Sequence, residues 1–237
     1  AIKNDIIELV KKCKDDKLSK SLIKGSLISQ YQFTSPGKKI NIDIVLENKH
    51  ETPIKLIVDS RNGIFIKIET LEIDMDGSSK EETFSDIIHF QESITLAPKK
   101  SIQRNFEIQN QAFNKNVYKT YKISATVPRY RVEGHSVSFP KIIFNEVNII
   151  CFPESFHYIA REPLNICLWA LKLQKNEHLF FGSFFLDIDQ EYVLISKIIE
   201  SFEQKKNISR TSYSILKRVT QKNFTTKSAW INWWKAQ

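Results

Sequence analysis

The residues able to do chemistry are few and scattered. The five histidines, His50, His89, His135, His157 and His178, lie far apart, and none sits in an HExxH, HxH or cysteine-flanked context. The three cysteines, Cys13, Cys151 and Cys167, form no CxxC pair. Cys151 in "NIICF" and Cys167 in "NICLW" read as small buried hydrophobes, and whether those two are bonded is left open. With only six glycines there is no GxSxG, phosphate loop or GxGxxG. "DMDGSS" shares Asp74, Asp76 and Gly77 with the start of a calcium loop. It lacks the third acid and the distal glutamate, so a hairpin turn on Asp76-Gly77 explains it better. No catalytic residue, metal ligand or cofactor is expected from these patterns.

Two clusters of aromatic and basic side chains are candidates for binding. "TVPRYRVEGH" places Arg129, Tyr130 and Arg131 together on a strand, where a cation beside an aromatic ring can contact RNA or a glycan. Exposed arginine on an edge strand, discouraging aggregation, produces the same pattern. "SAWINWWKAQ" holds three of the four tryptophans, Trp230, Trp233 and Trp234. The i, i+3, i+4 spacing puts them on one helix face behind an N-cap at Thr226 or Ser228. At about 200 Å² per tryptophan and about 25 cal/mol per Å², such a ridge is worth several kcal/mol. It either closes the end of a helical region over Phe224 and Tyr213, docks a partner, or forms a stacking shelf for a sugar or base. Trp233 and Trp234 are adjacent and cannot point the same way, so one is expected to remain partly exposed.

The elements that must position these residues follow from hydrophobic period. Ile6, Leu9, Val10 and Cys13, then Leu18, Leu22 and Ile23, predict an N-terminal helix over 3–24 with Gly25 as its stop. From "KKINIDIVLENK" the period changes to two, with Ile40, Ile42, Ile44 and Leu46 on one face. "GIFIKIETLEIDMDG" is a longer strand whose alternation slips near Thr70, which predicts a β-bulge. "ESITLAPKKSIQRNFEI" predicts two strands around a turn at Pro98. Further strands follow to "VSFPKIIFNEVNIICF", a series that predicts an antiparallel sandwich. Past "FPESFHYIAREP" the helical period returns. Its stripes are Leu164, Cys167, Leu168 and Leu171; Tyr192, Ile195, Ile198, Ile199 and Phe202; Tyr213, Leu216 and Val219; and the tryptophans. The expected fold class is thus α+β: an N-terminal helical segment (1–28), a β-sandwich (29–152) and an all-helical region (153–237).

The 237 residues suffice for a sizeable core, and a formal charge of +8 permits an acidic partner, nucleic acid or an anionic surface. The charge is dispersed, however. Lys99, Lys100 and Arg104 form one small cluster and Lys205, Lys206 and Arg210 another. Neither is a continuous basic run, so solvated faces explain them better. No apolar run reaches membrane-spanning length, and no signal peptide is visible.

Two family resemblances add to this reading. "PGKKINIDIVLENK", "LAPKKSIQRNFEI" (with Lys99 where a glycine is usual) and "YKISATV" resemble elements of bacterial immunoglobulin-like sandwiches. That resemblance covers about half the chain and implies a fold and a cell-envelope setting, but no activity. "ILKRVTQKNFTTKSAWINWWKAQ" is similar to the terminal segment of bacterial HEAT-type helical repeat proteins through Leu216, Thr220, Phe224, Trp230, Trp233 and Trp234. Val219 and Gln221 depart from that pattern, and the resemblance implies a scaffold or interaction element. The function expected is a non-enzymatic protein-binding or scaffold module, periplasmic or envelope-associated, with a protein as partner. One alternative is a nucleic-acid or anionic-surface binder. Another is a hydrolase at the sandwich–helix junction, with His157 or His178 beside a carboxylate in a deep pocket; a junction filled by Phe180, Phe181, Phe184 and Phe185 would count against it.

Overall fold

The computed structural model describes residues 22–57, 63–89, 93–110, 117–128, 130–133, 138–139, 141–204 and 209–237. The chain is α+β, with strands followed by helices. The strands are β1 (Ile23–Ser29), β2 (Phe33–Thr34), β3 (Ile40–Asn48), β4 (Ile54–Ile57), β5 (Ile64–Asp74), β6 (Ser79–Ile88), β7 (Ile94–Leu96), β8 (Ser101–Ile108), β9 (Val117–Val127), β10 (Tyr130–Val132), β11 (Ser138–Phe139), β12 (Ile142–Ile143) and β13 (Val147–Cys151). A 3-10 helix at Glu154–Arg161 leads into α1 (Pro163–Leu173), α2 (Asn176–Gly182), α3 (Ile188–Glu203), α4 (Arg210–Thr220) and α5 (Lys227–Lys235).

The strands form three sheets, ordered β1-β3-β8, β11-β10-β4-β7 and β2-β13-β9-β5-β6, with β12 also on β9. All described pairings are antiparallel except β2 on β13. Alternation works as the sequence implies: Ile40, Ile42, Ile44 and Leu46 of β3 point inward. They meet Ile64, Ile66 and Ile68 of β5, Ile123, Ala125 and Val127 of β9, and Leu56, Leu96 and Tyr130 from the remaining sheet in one apolar core.

Three asparagines, Asn48 and Asn110 buried and Asn145 at the surface, stitch the strands where apolar contact alone would leave backbone groups unpaired. Asn48, fully buried at the end of β3, donates to the carbonyls of Thr52, Leu96 and Ala97 and accepts from the His50 N–H. Asn145 accepts from the Leu27 N–H at 2.7 Å and donates to the Leu27 carbonyl at 2.9 Å, so its amide acts as one residue of a strand beside β1. Asn110 donates to the Ser35 carbonyl and to Cys151 Sγ, while its oxygen accepts from the Tyr121 hydroxyl. Removing such an amide would strand buried partners.

Three local expectations change. Most of the expected N-terminal helix, with Cys13, lies outside the described residues. The chain is already extended from Ile23, so the helix does not reach Lys24. Gly25 is a mid-strand residue rather than a helix stop: a Cβ there would lie 2.9 Å from the Phe144 ring. Nor is there a bulge at Thr70. β5 keeps continuous register with both neighbours through that residue. The apparent slip arises because Ile73 lies on the opposite face, where the helices cover the sheet and give it an apolar environment. The two strands expected around Pro98 are β7 and β8, and they join different sheets. The turn between them places Lys99 in the left-handed region at φ 57°, in the position where the sequence pattern led one to look for glycine.

The β5–β6 turn forms on Asp76-Gly77 as expected, with the Asp74 N–H donating to the Ser78 carbonyl and the Ser78 N–H to Asp76 Oδ1. Its tip rests on α4: a Cβ on Gly77, whose φ is 90°, would lie 2.7 Å from Ser214 Oγ. Gly77→Ala is expected to cost about 1–3 kcal/mol in urea unfolding, from left-handed strain plus overpacking. In a Ser214→Ala background the cost should shrink toward the strain alone. Simple additivity in that double-mutant cycle would show that the tip and α4 are not in contact.

Candidate functional site

The helical region and the mixed sheet meet in a seam of rings. Tyr118 of β9 stacks on Phe184 at 3.8 Å with planes 4° apart, and the Arg218 guanidinium lies 3.9 Å over the other side of Phe184. Arg218 Nη2 donates to the Ser183 carbonyl at 3.0 Å and to Ser183 Oγ at 2.7 Å, and that hydroxyl donates to the Phe180 carbonyl. Phe33, Phe152 and Phe185 cross edge-on or tilted beside this column. His157 tilts against Phe152 with Nε2 3.1 Å from the Phe152 carbonyl. The junction is therefore filled by Phe180, Phe181, Phe184 and Phe185 with their neighbours, and His157 is held as a packing group.

The other titratable side chains have equally local settings. Cys151 and Cys167 are free, fully buried thiols. Burial pushes Cys151 up to about 11 against the lowering effect of its Asn110 hydrogen bond, and pushes Cys167 up to about 12. Among the described residues no group of three or more His, Cys, Asp or Glu side chains could hold a metal. His50 pairs with the Thr52 hydroxyl, and His135 lies outside the described residues.

The sequence candidates separate. Arg129 lies outside the described residues. Tyr130 and Arg131 point in opposite directions: Arg131 is exposed, whereas Tyr130 is 2% exposed in the strand core with its phenol raised to about 12 by burial. Tyr130 is thus a core residue rather than part of a surface binding pair, because strand alternation puts it on the inner side. The tryptophans also divide. Thr226 caps α5 by accepting from the Ala229 N–H at 3.3 Å. Trp230 is fully buried, donates from Nε1 to the Phe224 carbonyl at 3.1 Å and meets the Phe224 ring edge-to-face. Trp233 and Trp234 are half-buried. Tyr213 stacks on Phe202. The ridge therefore closes the helical core at one end and reaches the surface at the other.

The surface end extends onto α3. A capping box between Asp187 and Gln190 starts this helix, which buries Leu194, Ile195, Ile198, Ile199 and Phe202. Tyr192, grouped with the inward stripe by its spacing, is instead 60% exposed and leans on Trp234 with ring centroids 4.8 Å apart. Ile188 and Val193 beside it are 81% and 38% exposed. Asp187, Asp189 and Glu191 make the first turn acidic. Ile188 and Tyr192, one turn apart, and Trp234 form an apolar face with an acidic end.

A second aromatic surface lies apart from the sequence candidates. Trp169, in the apolar run "ICLWA", is 45% exposed, and Tyr158 is 48% exposed. His178 lies between them, 5.3 Å and 6.4 Å from the two rings. An outward tryptophan inside an apolar run carries no signal distinct from a buried one.

No family model and no curated protein matches the chain. Among solved structures, it is similar to the sporulation control protein Spo0M of Bacillus subtilis at 11% identity and a TM-score of 0.32, over 61% of this chain and 55% of that one. It is similar to the alkylpurine DNA glycosylase AlkC of Pseudomonas fluorescens at 12% identity and a TM-score of 0.30, over 56% and 31%. The CARDB domain of PF1109 from Pyrococcus furiosus, solved with di-metal ions, matches at 10% identity and a TM-score of 0.28, over 54% and 86%. The chain thus spans about half of Spo0M and a third of AlkC, and likenesses this distant carry no assignment of activity.

Trp230→Ala should lose about 3–5 kcal/mol of stability in urea unfolding, whereas Ile188→Ala should stay within about 0.5 kcal/mol. Equal losses would contradict the division between core and surface. The buried thiols and phenols also set an alkaline limit. Their folded pKa values are raised, to about 11 and 12 for Cys151 and Cys167 and about 12 for Tyr118 and Tyr130. Below the ordinary thiol value the unfolded chain gains nothing; above it the unfolded chain releases protons that the folded chain keeps. Stability should fall from about pH 9 toward pH 12, as checked by melting temperature. A flat profile over that window would show that these groups are not buried in the folded state.

Proposed function

We propose that the chain is a non-enzymatic protein-binding module in which an immunoglobulin-like sandwich carries a helical region that presents the α3–α5 face to a protein partner. The shared core of the opposed sheets supports the sandwich reading. The observation carrying the functional reading is the exposed apolar face of Ile188 and Tyr192 joined to Trp234. Aromatic side chains that are neither fully packed nor isolated are favoured anchors at protein interfaces. The acidic first turn of α3 selects a partner segment whose apolar residues are flanked by lysine or arginine. The ring-filled junction also favours binding over hydrolysis at that place.

Nucleic acid and anionic surfaces are the competing partners. Among the described residues, eleven ion pairs each join a lysine to a glutamate, spreading the positive charge as local pairs instead of a continuous basic track. The discriminating experiment uses the intact chain as bait at rising salt, beside Ile188→Asp plus Tyr192→Ala. The expected result is a protein partner retained at high salt and lost at least about 30-fold by the folded double variant, the scale of a hot spot. Capture of nucleic acid that collapses steeply with salt and ignores the double variant would overturn this reading.

A further inference from the structure

Strand β6 ends the mixed sheet, and no strand pairs with its outer side among the described residues. Its side chains from Ser79 to Asp86 are exposed except for the half-buried Glu82. The register with β5 places Lys80, Glu82, Phe84, Asp86 and Ile88 on the side that carries Ile64, Ile66 and Ile68 into the core. Phe84 is 51% exposed although it lies on that inner side, whereas Ile88 at the end of the strand packs against the core. Charges on the inner side of an edge disfavour most incoming strands: an apolar strand would set its side chains directly beside Lys80, Glu82 and Asp86.

One incoming sequence does fit, and it is β6 itself. We propose that two copies of this chain pair edge to edge through antiparallel β6 strands, with Thr83 opposite Thr83 on a two-fold axis. A two-fold axis perpendicular to the sheet requires inner residues to face inner residues, so only alternate registers are allowed. Centring the pair on Glu82 sets that carboxylate against its own copy, and centring it on Phe84 sets Glu82 against Asp86. Centring it on Thr83 sets Lys80 against Asp86 twice, with Glu82 opposite Phe84 and Glu81 opposite Ser85, and leaves no like charges directly opposed. The same charges that exclude foreign strands thereby select a second copy. The strand pair is a small contact, which makes the association weak and concentration-dependent.

The test is sedimentation of the full chain over a concentration series, with matched charge variants. Lys80→Asp alone and Asp86→Lys alone each set like charges opposite one another twice, and each should weaken the dimer roughly 10- to 100-fold. An equimolar mixture of the two variants restores both attractive pairs and should restore the dimer. A disulfide reports the register. Opposed Cα atoms in an antiparallel pair lie about 4.5–5.5 Å apart, inside the range a disulfide spans. Thr83→Cys in a Cys13→Ser background should therefore give a covalent dimer under mild oxidation, while Ser85→Cys should not. A wild-type chain that stays monomeric up to its solubility limit overturns the proposal. So does a dimer indifferent to Lys80→Asp and Asp86→Lys, or a mixture that fails to recover.

Discussion

The column of Tyr118, Phe184 and Arg218 is the contact on which the remaining architecture depends. It joins a strand, the segment between α2 and α3, and α4. Tyr118 offers a flat face on the outer side of the sheet, and Phe184 lies parallel to it at stacking distance. Arg218 is buried enough that desolvation works against its charge. The aromatic face and two oxygens of Ser183 compensate. A lysine could not reproduce this fit, because only a planar guanidinium can stack on a ring while its edge donates to a neighbouring backbone.

That column determines which surfaces remain free. With α2 and α4 turned toward the strands, the inner stripe of α3 packs among the helices and its first turns face outward. The apolar face of Tyr192 and Trp234 belongs to this helical packing, whereas the edge at β6 follows from strand order in the mixed sheet. The sheets solve a different problem. Asparagine amides supply partners to carbonyls that strand pairing leaves open, at Leu96, Ser35 and Leu27. Each amide supplies both a donor and an acceptor, which no apolar side chain can do.

The sequence made periodic features legible and left singular ones hidden. Alternation in β3 and the helical stripes of α1, α3 and α5 follow from side chains that repeat, and so does the order of strands before helices. The Asp76-Gly77 turn was legible because its residue types have a conformational reason to be there. Hidden features depended on distant partners. Gly25 reads as a stop until Phe144 is seen beside it, and Tyr192 joins an inward stripe until Trp234 is seen to hold it outside. The same applies to the candidate sites. Clustering identified the tryptophans, but only packing could divide Trp230 from Trp234 or turn Tyr130 inward. Nothing local marks Trp169 as exposed or β6 as an edge.

Asn145 and Leu27 are separated by 118 positions, yet the amide of one completes the backbone pairing of the other. During synthesis from the N-terminus, β1 emerges long before the residue that closes its edge. Until then the strand presents unpaired backbone groups and inward apolar side chains to whatever is nearby. The interval in which the nascent chain is open to mispairing is thus written into the spacing of two residues, and it ends only when nearly all the strands have left the ribosome.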